Sequence, residues 1–183
     1  TCSIGKLGER ENVVPGWLGK SPTTPLLGIM CEAPGAQEDI TGLPLVGRAG
    51  QLFDKLLVSA GLERQSLLLM NRVRCRPPNN QLKNHPDAIE RCDEWTRAEL
   101  ELYDPAVVVL MGATAMQNVF GVKPLVGLTR GQVRTTDESF EFGARTWVAS
   151  YHPASLFRPS GKANIPLVVA DLMLARDLLR EVA

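Results

Sequence analysis

No apolar run in the 183 residues approaches the roughly 18 to 20 needed to span a bilayer, and no charged-then-apolar leader precedes the first expected strand. The expectation is a soluble, cytoplasmic protein with no membrane partner. Basic and acidic residues cancel at 20 each, so no global field points to nucleic acid or to a lipid surface, and any basic patch must be local. Cysteine is scarce. Four residues, at positions 2, 31, 75 and 92, are too few and too scattered for a secreted disulfide framework, which leaves intracellular thiols or metal ligands. There are only two histidines. No phosphate-binding glycine fingerprint follows the first apolar run, which counts against a nucleotide-cofactor enzyme using the same strand edge. No repeat, low-complexity tract or linker divides the chain, so residues 1–183 read as one domain with an irregular arm over 1–24, in which a short strand is expected near Val13.

What is present is a regular alternation. Apolar runs of strand length lie at 26–30, 66–71, 106–111 and 146–150. Between the first two, Leu52, Phe53, Leu56, Leu57 and Ala60 recur at helical spacing, and Gly61 closes that helix. Pro86 and Asp87 open a helix running to about Tyr103. Gly112, Ala113 and Thr114 begin a short helix to Phe120, the segment 122–143 is less regular with antiparallel-looking pieces near 132–136 and Phe140, and a helix from about Pro166 to Val182 ends the chain. Short strands alternating with helices give an α/β class, a three-layer α/β/α sandwich around a four-stranded, mostly parallel sheet.

Parallel sheets of this kind bind ligands at the carboxyl ends of their strands. Glu32 follows the first strand, Asn71 ends the second, Gly112 follows the third and His152 the fourth, so reactive or reading side chains converge on one edge. The loop CEAPGAQEDITGLPLVGRAG, residues 31–50, carries Glu32, Glu38 and Asp39 among its glycines. Two readings fit these acids: pocket chemistry, or caps for the helix that starts near Arg48. His85, in a polar loop before a proline, reads as a bystander.

Glu32-Ala33-Pro34-Gly35, then Glu38-Asp39, Gly42, Pro44, Val46-Gly47 and Ala49-Gly50, then Asn71-x-Val-x-Cys75-Arg-Pro-Pro, then His152-Pro-Ala, resembles the family 4 uracil-DNA glycosylases, the iron-sulfur branch of that superfamily. The resemblance runs from about residue 26 to the last helix. It implies the uracil-DNA glycosylase fold and a monofunctional enzyme that flips uracil from single- or double-stranded DNA and hydrolyses its N-glycosidic bond. The product is an abasic site, no catalytic metal is used, and the enzyme works as a monomer. The other reading is a relative that binds DNA or lesions with weak or altered catalysis.

The resemblance assigns roles residue by residue. Asn71, whose amide both donates and accepts, matches the asparagine that pairs with uracil O4 and N3–H. His152 matches the histidine that donates to O2, where negative charge develops. Glu32, and after it Glu38, are the acids for the sugar cation and the water. Ala33 stands where the family 1 branch has an aspartate, and the main chain of Ala33 and Pro34 helps line the pocket. Leu45 stands where the family has an aromatic that stacks on uracil, which predicts weaker base retention or an altered substrate range.

For a 4Fe-4S cluster, Cys75 and Cys92, with sixteen residues between them, fit two ligand positions, and Cys2 fits one of an N-terminal Cys-x-x-Cys pair. If Cys2 is the first of that pair, Gly5 replaces its partner; if it is the second, the first would lie upstream. Zinc and simple packing of reduced thiols are the rival readings, and Cys31 reads as a core thiol. Arg72, Arg74, Arg130 and Arg158, with Arg76 and Lys162, read as a local phosphate rim or as a solvated face. Ser155, Leu156 and Phe157 read either as a loop that fills the gap left by a flipped base or as packing against the last helix.

Overall fold

The computed structural model describes residues 2–7, 11–121 and 124–182. Parts of the expected arm and the first residues of the 122–143 segment fall outside them. Each of the four apolar runs forms a strand: β2 (Leu27–Cys31), β3 (Leu67–Asn71), β4 (Val107–Met111) and β6 (Arg145–Ser150). They pair in parallel in the order β3-β2-β4-β6. Every residue of β2, β3 and β4 is buried, as expected for strands covered on both faces, and this is why their sequences are apolar throughout and do not alternate.

The sheet has six strands, not four. β1 (Trp17–Leu18) adds antiparallel to β3, and β5 (Val133–Thr136) adds antiparallel to β6. Two residues are too few to show a period, and β5 is largely exposed, so neither edge carries an apolar signal. Val13 makes only an isolated bridge to Cys75. The arm is nonetheless fastened: Gly16 N–H donates to Glu99 at 2.8 Å, and the Glu11 and Asn12 N–H groups donate to the Asp39 carboxylate at 3.1 Å each.

Helices cover both faces. On one, Phe53, Leu56 and Leu57 of α3 and Val168, Leu172, Ala175 and Leu179 of α7 pack on Leu27, Ile29, Val107 and Val109. Numbered in chain order with α1 (Ser3–Leu7) and α2 (Ala36–Thr41), α3 spans Arg48–Ser59 and α7 Ile165–Glu181. The opposite face is covered by Leu100 of α4 (Asp87–Tyr103), by Ala115 and Met116 of α5 (Ala113–Met116), and by Phe142 and Trp147. Each fully buried Leu, Phe or Met side chain here contributes about 1.5–3 kcal/mol by leaving water. The i, i+3, i+4 spacing puts these side chains on one stripe.

Gly61 ends α3 with φ +67; its N–H reaches the Val58 carbonyl at 3.1 Å, and Leu62 N–H reaches Leu57 at 2.9 Å. α5 stops four residues short of the expected Phe120, with Asn118 in the left-handed region at φ +70. The register sets Cys31 beside Asn71 and Met111 beside Ser150, so the strand ends form one level edge.

Candidate active site

The pairing of β2 and β3 continues past their last residues, through Arg72 N–H to Cys31 at 2.9 Å and Val73 N–H to Glu32 at 3.0 Å. That continuation fixes Glu32 next to Asn71. Both open onto a cavity of about 420 Å³ at the carboxyl edge, with His152 on the same wall. Ala33, Pro34, Glu38, Leu45, Ser155 and Arg158 complete the expected residues that line it.

Asn71 is 3% exposed, and its side-chain amide has no hydrogen-bond partner among the described residues. Facing the cavity, the amide can both donate to and accept from a ligand. Its own carbonyl accepts from the Arg74 guanidinium, which pins the backbone. His152 accepts the Ala154 N–H on Nδ1 at 3.1 Å, so its neutral ring carries the proton on Nε2. Burial pushes its pKa below the ordinary histidine value, against the opposing pull of Glu32 and Glu38, and the ring is therefore neutral at pH 7. Gly112, at φ +93, packs so closely that a Cβ there would lie 3.0 Å from the His152 Cβ.

The two loop acids do different things. Glu32 accepts one hydrogen bond, from the Thr114 hydroxyl at 2.6 Å. Glu38 is enclosed by main chain: it accepts N–H groups from Gly35 at 3.1 Å, Val46 at 2.9 Å and Gly47 at 2.7 Å. Gly35 and Gly47 are the N-caps of α2 and α3, so Glu38 ties two helix starts to one carboxylate. The capping reading of this loop is thus correct for Glu38, while Glu32 keeps an oxygen for the cavity.

Leu45 is 6% exposed and sits in the left-handed region at φ +54. Arg64 holds it there by donating to the Pro44 and Leu45 carbonyls at 2.8 Å each, while also pairing with Asp54 at 2.7 Å. Gly50 is required beneath it, since a Cβ would fall 1.9 Å from the Leu45 carbonyl oxygen.

Several expected DNA contacts are corrected. Arg72 is fully buried, paired with Asp93 at 2.6 Å and stacked 4.8 Å from the Phe142 ring centroid, so it reaches no phosphate. Burial pushes the Arg72 pKa down and the Asp93 pKa up, and the attraction between the two charges opposes both shifts. Arg74, 3% exposed, donates twice to Glu99, at 3.0 and 2.6 Å. Leu156 is 2% exposed and belongs to the core, so it cannot fill a gap in DNA. Arg130 is tied to Asp171, whose other oxygen accepts the Ser150 hydroxyl at 2.8 Å. Arg158 and Ser155 do stand at the cavity. Phe157 is the half-exposed aromatic of that loop, with the Arg48 guanidinium 4.2 Å from its ring centroid.

Sequence reasoning missed Thr114, Arg64 and Asn80. Asn80 lines the cavity and accepts a 2.9 Å hydrogen bond from Arg76, one of the arginines expected at the phosphate rim. Only the Gly112-Ala113-Thr114 position after the third strand signalled any of them.

Cys2, Cys75 and Cys92 share a separate apolar cluster with Ile4, Val73, Leu82 and Ala88. Burial raises the Cys92 pKa, and no cysteine forms a disulfide. Cys31 lies in the sheet core, where burial and the two nearby glutamates push its thiol far above its usual range. Among the described residues no group of three or more histidine, cysteine or acidic side chains is placed to hold a metal ion. Three thiols in one cluster have the right chemistry, and no fourth cysteine stands with them among the described residues.

An amide, a neutral imidazole and a carboxylate thus stand together at one sheet edge. The sequence pattern described as the Uracil DNA glycosylase superfamily matches residues 19–172, and the chain belongs to that superfamily. It is similar to a type-4 uracil-DNA glycosylase of Archaeoglobus fulgidus, 37% identical over 161 residues, 86% of this chain and 78% of the relative. A type-4 uracil-DNA glycosylase of Thermotoga maritima is 31% identical over 173 residues, 94% of this chain and 86% of the relative. One from Saccharolobus solfataricus is 32% identical over 165 residues, 86% and 72%.

Proposed function

We propose that this chain is a DNA repair glycosylase that takes uracil flipped out of DNA and hydrolyses its N-glycosidic bond, leaving an abasic site. The observation that carries this reading is the unpartnered Asn71 amide sharing a cavity with His152 Nε2–H and Glu32. Flipping costs a few kcal/mol of stacking and pairing, which the pocket must offset. Asn71 pairs with O4 and N3–H, and an amide held in that orientation mismatches cytosine, which offers an amino group and an unprotonated ring nitrogen there.

Water adds at C1′ as the C1′–N1 bond breaks. The bonding pair leaves with N1 and spreads to O2, where His152 Nε2–H donates to the developing charge. Glu32 stabilises the cationic sugar and takes the proton of the water. Thr114 orients Glu32, and Glu38 shapes the loop without touching substrate. Arg158 and Ser155 meet the DNA backbone at the mouth, with strand type, single or double, left to the assay.

A cluster held by this chain would take three thiolates, from Cys2, Cys75 and Cys92, and a fourth ligand from elsewhere; iron and sulfide analysis with visible absorbance reads its presence. The hydrolytic step makes no use of it. We take the chain to act as one monomeric domain in the cytoplasm, a reading supported by its single continuous sheet and its cysteines outside disulfides. Among the described residues no helix is long and apolar enough to cross a membrane.

The buried Leu45 favours a second reading, a relative that binds DNA or lesions with weak catalysis. One assay separates the two: uracil-containing single-stranded and duplex oligonucleotides are incubated with the protein, then abasic sites are cleaved with alkali. Cleaved product supports the glycosylase; binding without product supports the second reading.

A further inference from the structure

Glu32 and Asn80 stand between two cavities. Beyond the pocket, a second one of about 700 Å³ is bounded by the same two residues together with Lys83, Pro86, Ile89 and Gln117. If Glu32 acts at C1′ of the flipped nucleotide, the sugar lies at this shared wall, and the strand must leave the pocket past Glu32. The second cavity is the space it enters.

Its lining suits a nucleotide. Pro86 and the half-buried Ile89 offer an apolar surface for a base face, which is tolerant of sequence because every base has one. Gln117, with no side-chain hydrogen bond among the described residues, can donate to or accept from any base edge. Asn80 spends its oxygen on Arg76 at 2.9 Å and keeps its N–H groups. Lys83 is exposed and supplies a cation for a phosphate. Asn79 and Asn80, at φ +52 and +55, hold the loop in a conformation that is uncommon outside glycine, and such strain collects at ligand-binding places.

We propose that this second cavity binds the nucleotide next to the target in the same strand, its base against Pro86 and Ile89, its edge at Gln117 and its phosphate at Lys83. The proposal rests on the glycosylase reading for the position of the sugar. It makes the enzyme a reader of unstacked strand beside the lesion as well as of the lesion.

The test uses single-stranded oligonucleotides with uracil internal, or lacking the neighbour on the 5′ or the 3′ side, and compares the wild type with a Lys83→Ala/Gln117→Ala double variant. Removing the neighbour on one side is expected to lower wild-type kcat/KM about tenfold, the size of a base-edge hydrogen bond with a phosphate contact, while the double variant, which lacks both, treats both substrates within about threefold. Indifference of the wild type to either neighbour, or full wild-type dependence in the double variant, overturns the proposal. Absence of any excision by the wild type defeats the glycosylase reading instead. In that case Kd values for the same oligonucleotides decide: equal affinity with and without the neighbour overturns the second site, and a loss confined to the wild type upholds it.

Discussion

Thr114, in the first turn of α5 just after β4, donates its hydroxyl proton to Glu32, the residue that follows β2, across 2.6 Å. One carboxylate oxygen is thereby fixed and the other left to the cavity. Thr114→Val keeps the shape and removes the donor, a loss of about 1–3 kcal/mol of orientation energy for a charged acceptor. The expected result is a kcat about 10- to 100-fold lower with an unchanged Kd for uracil-containing DNA, and recovery in Thr114→Ser. An unchanged kcat in the valine variant would remove Thr114 from the mechanism.

The depressed pKa of His152 has a signed consequence for stability. The unfolded histidine titrates near the ordinary value of 6.5, and the folded one lower. As pH falls below that value the unfolded chain binds the proton first, so this contribution is fully present above it and is lost down to the folded pKa. Denaturant unfolding from about pH 8 to about pH 5 should show the loss, and His152→Gln should flatten it. Activity should fall over the same acidic range, because a proton on Nδ1 breaks the bond from Ala154 N–H.

Leu45→Phe restores a ring to the pocket floor. Base stacking is worth about 1–3 kcal/mol, so kcat/KM for uracil should rise about 5- to 100-fold. No gain in excision by this variant would mean that Leu45 does not limit the enzyme.

Arg72 and Arg158 should separate cleanly. Arg72→Ala leaves Asp93 without its buried partner and should cost about 3–5 kcal/mol in unfolding free energy, with an unchanged salt slope of DNA binding. Arg158→Ala should leave stability alone and lower that slope by about one.

Gly5→Cys offers a fourth thiol one helical turn after Cys2. Iron and sulfide per chain should rise in protein prepared without oxygen; equal iron in both forms would show that the fourth ligand is not missing at this place.

The four central strands were legible because each is a short, mostly apolar run, and Asn71 and His152 were legible because strand ends fix where they stand. The roles of the acids were not. Glu32 and Glu38 share a loop, and what divides them is α2, six residues among glycines and prolines that show no period. The arginines at 72, 74 and 76 look alike in sequence, yet Asp93 and Glu99 on α4 draw the first two inward, partners about twenty-five residues away that no local pattern announces. Leu156 went the same way, since its place depends on the 153–157 segment packing against α3, more than ninety residues earlier in the chain. The β1 edge is too short to carry a signal, while β5 matches the antiparallel-looking piece expected near 132–136 but is too polar to have been counted in the sheet.

Arg64 grips the pocket floor only through main-chain carbonyls, at Pro44 and Leu45. No exchange of the side chain at 45 removes those bonds, so the backbone under the base and the surface offered to it are set independently. Position 45 is therefore a natural place to build libraries that retune which damaged bases are accepted, with the catalytic groups on the opposite wall left as they are.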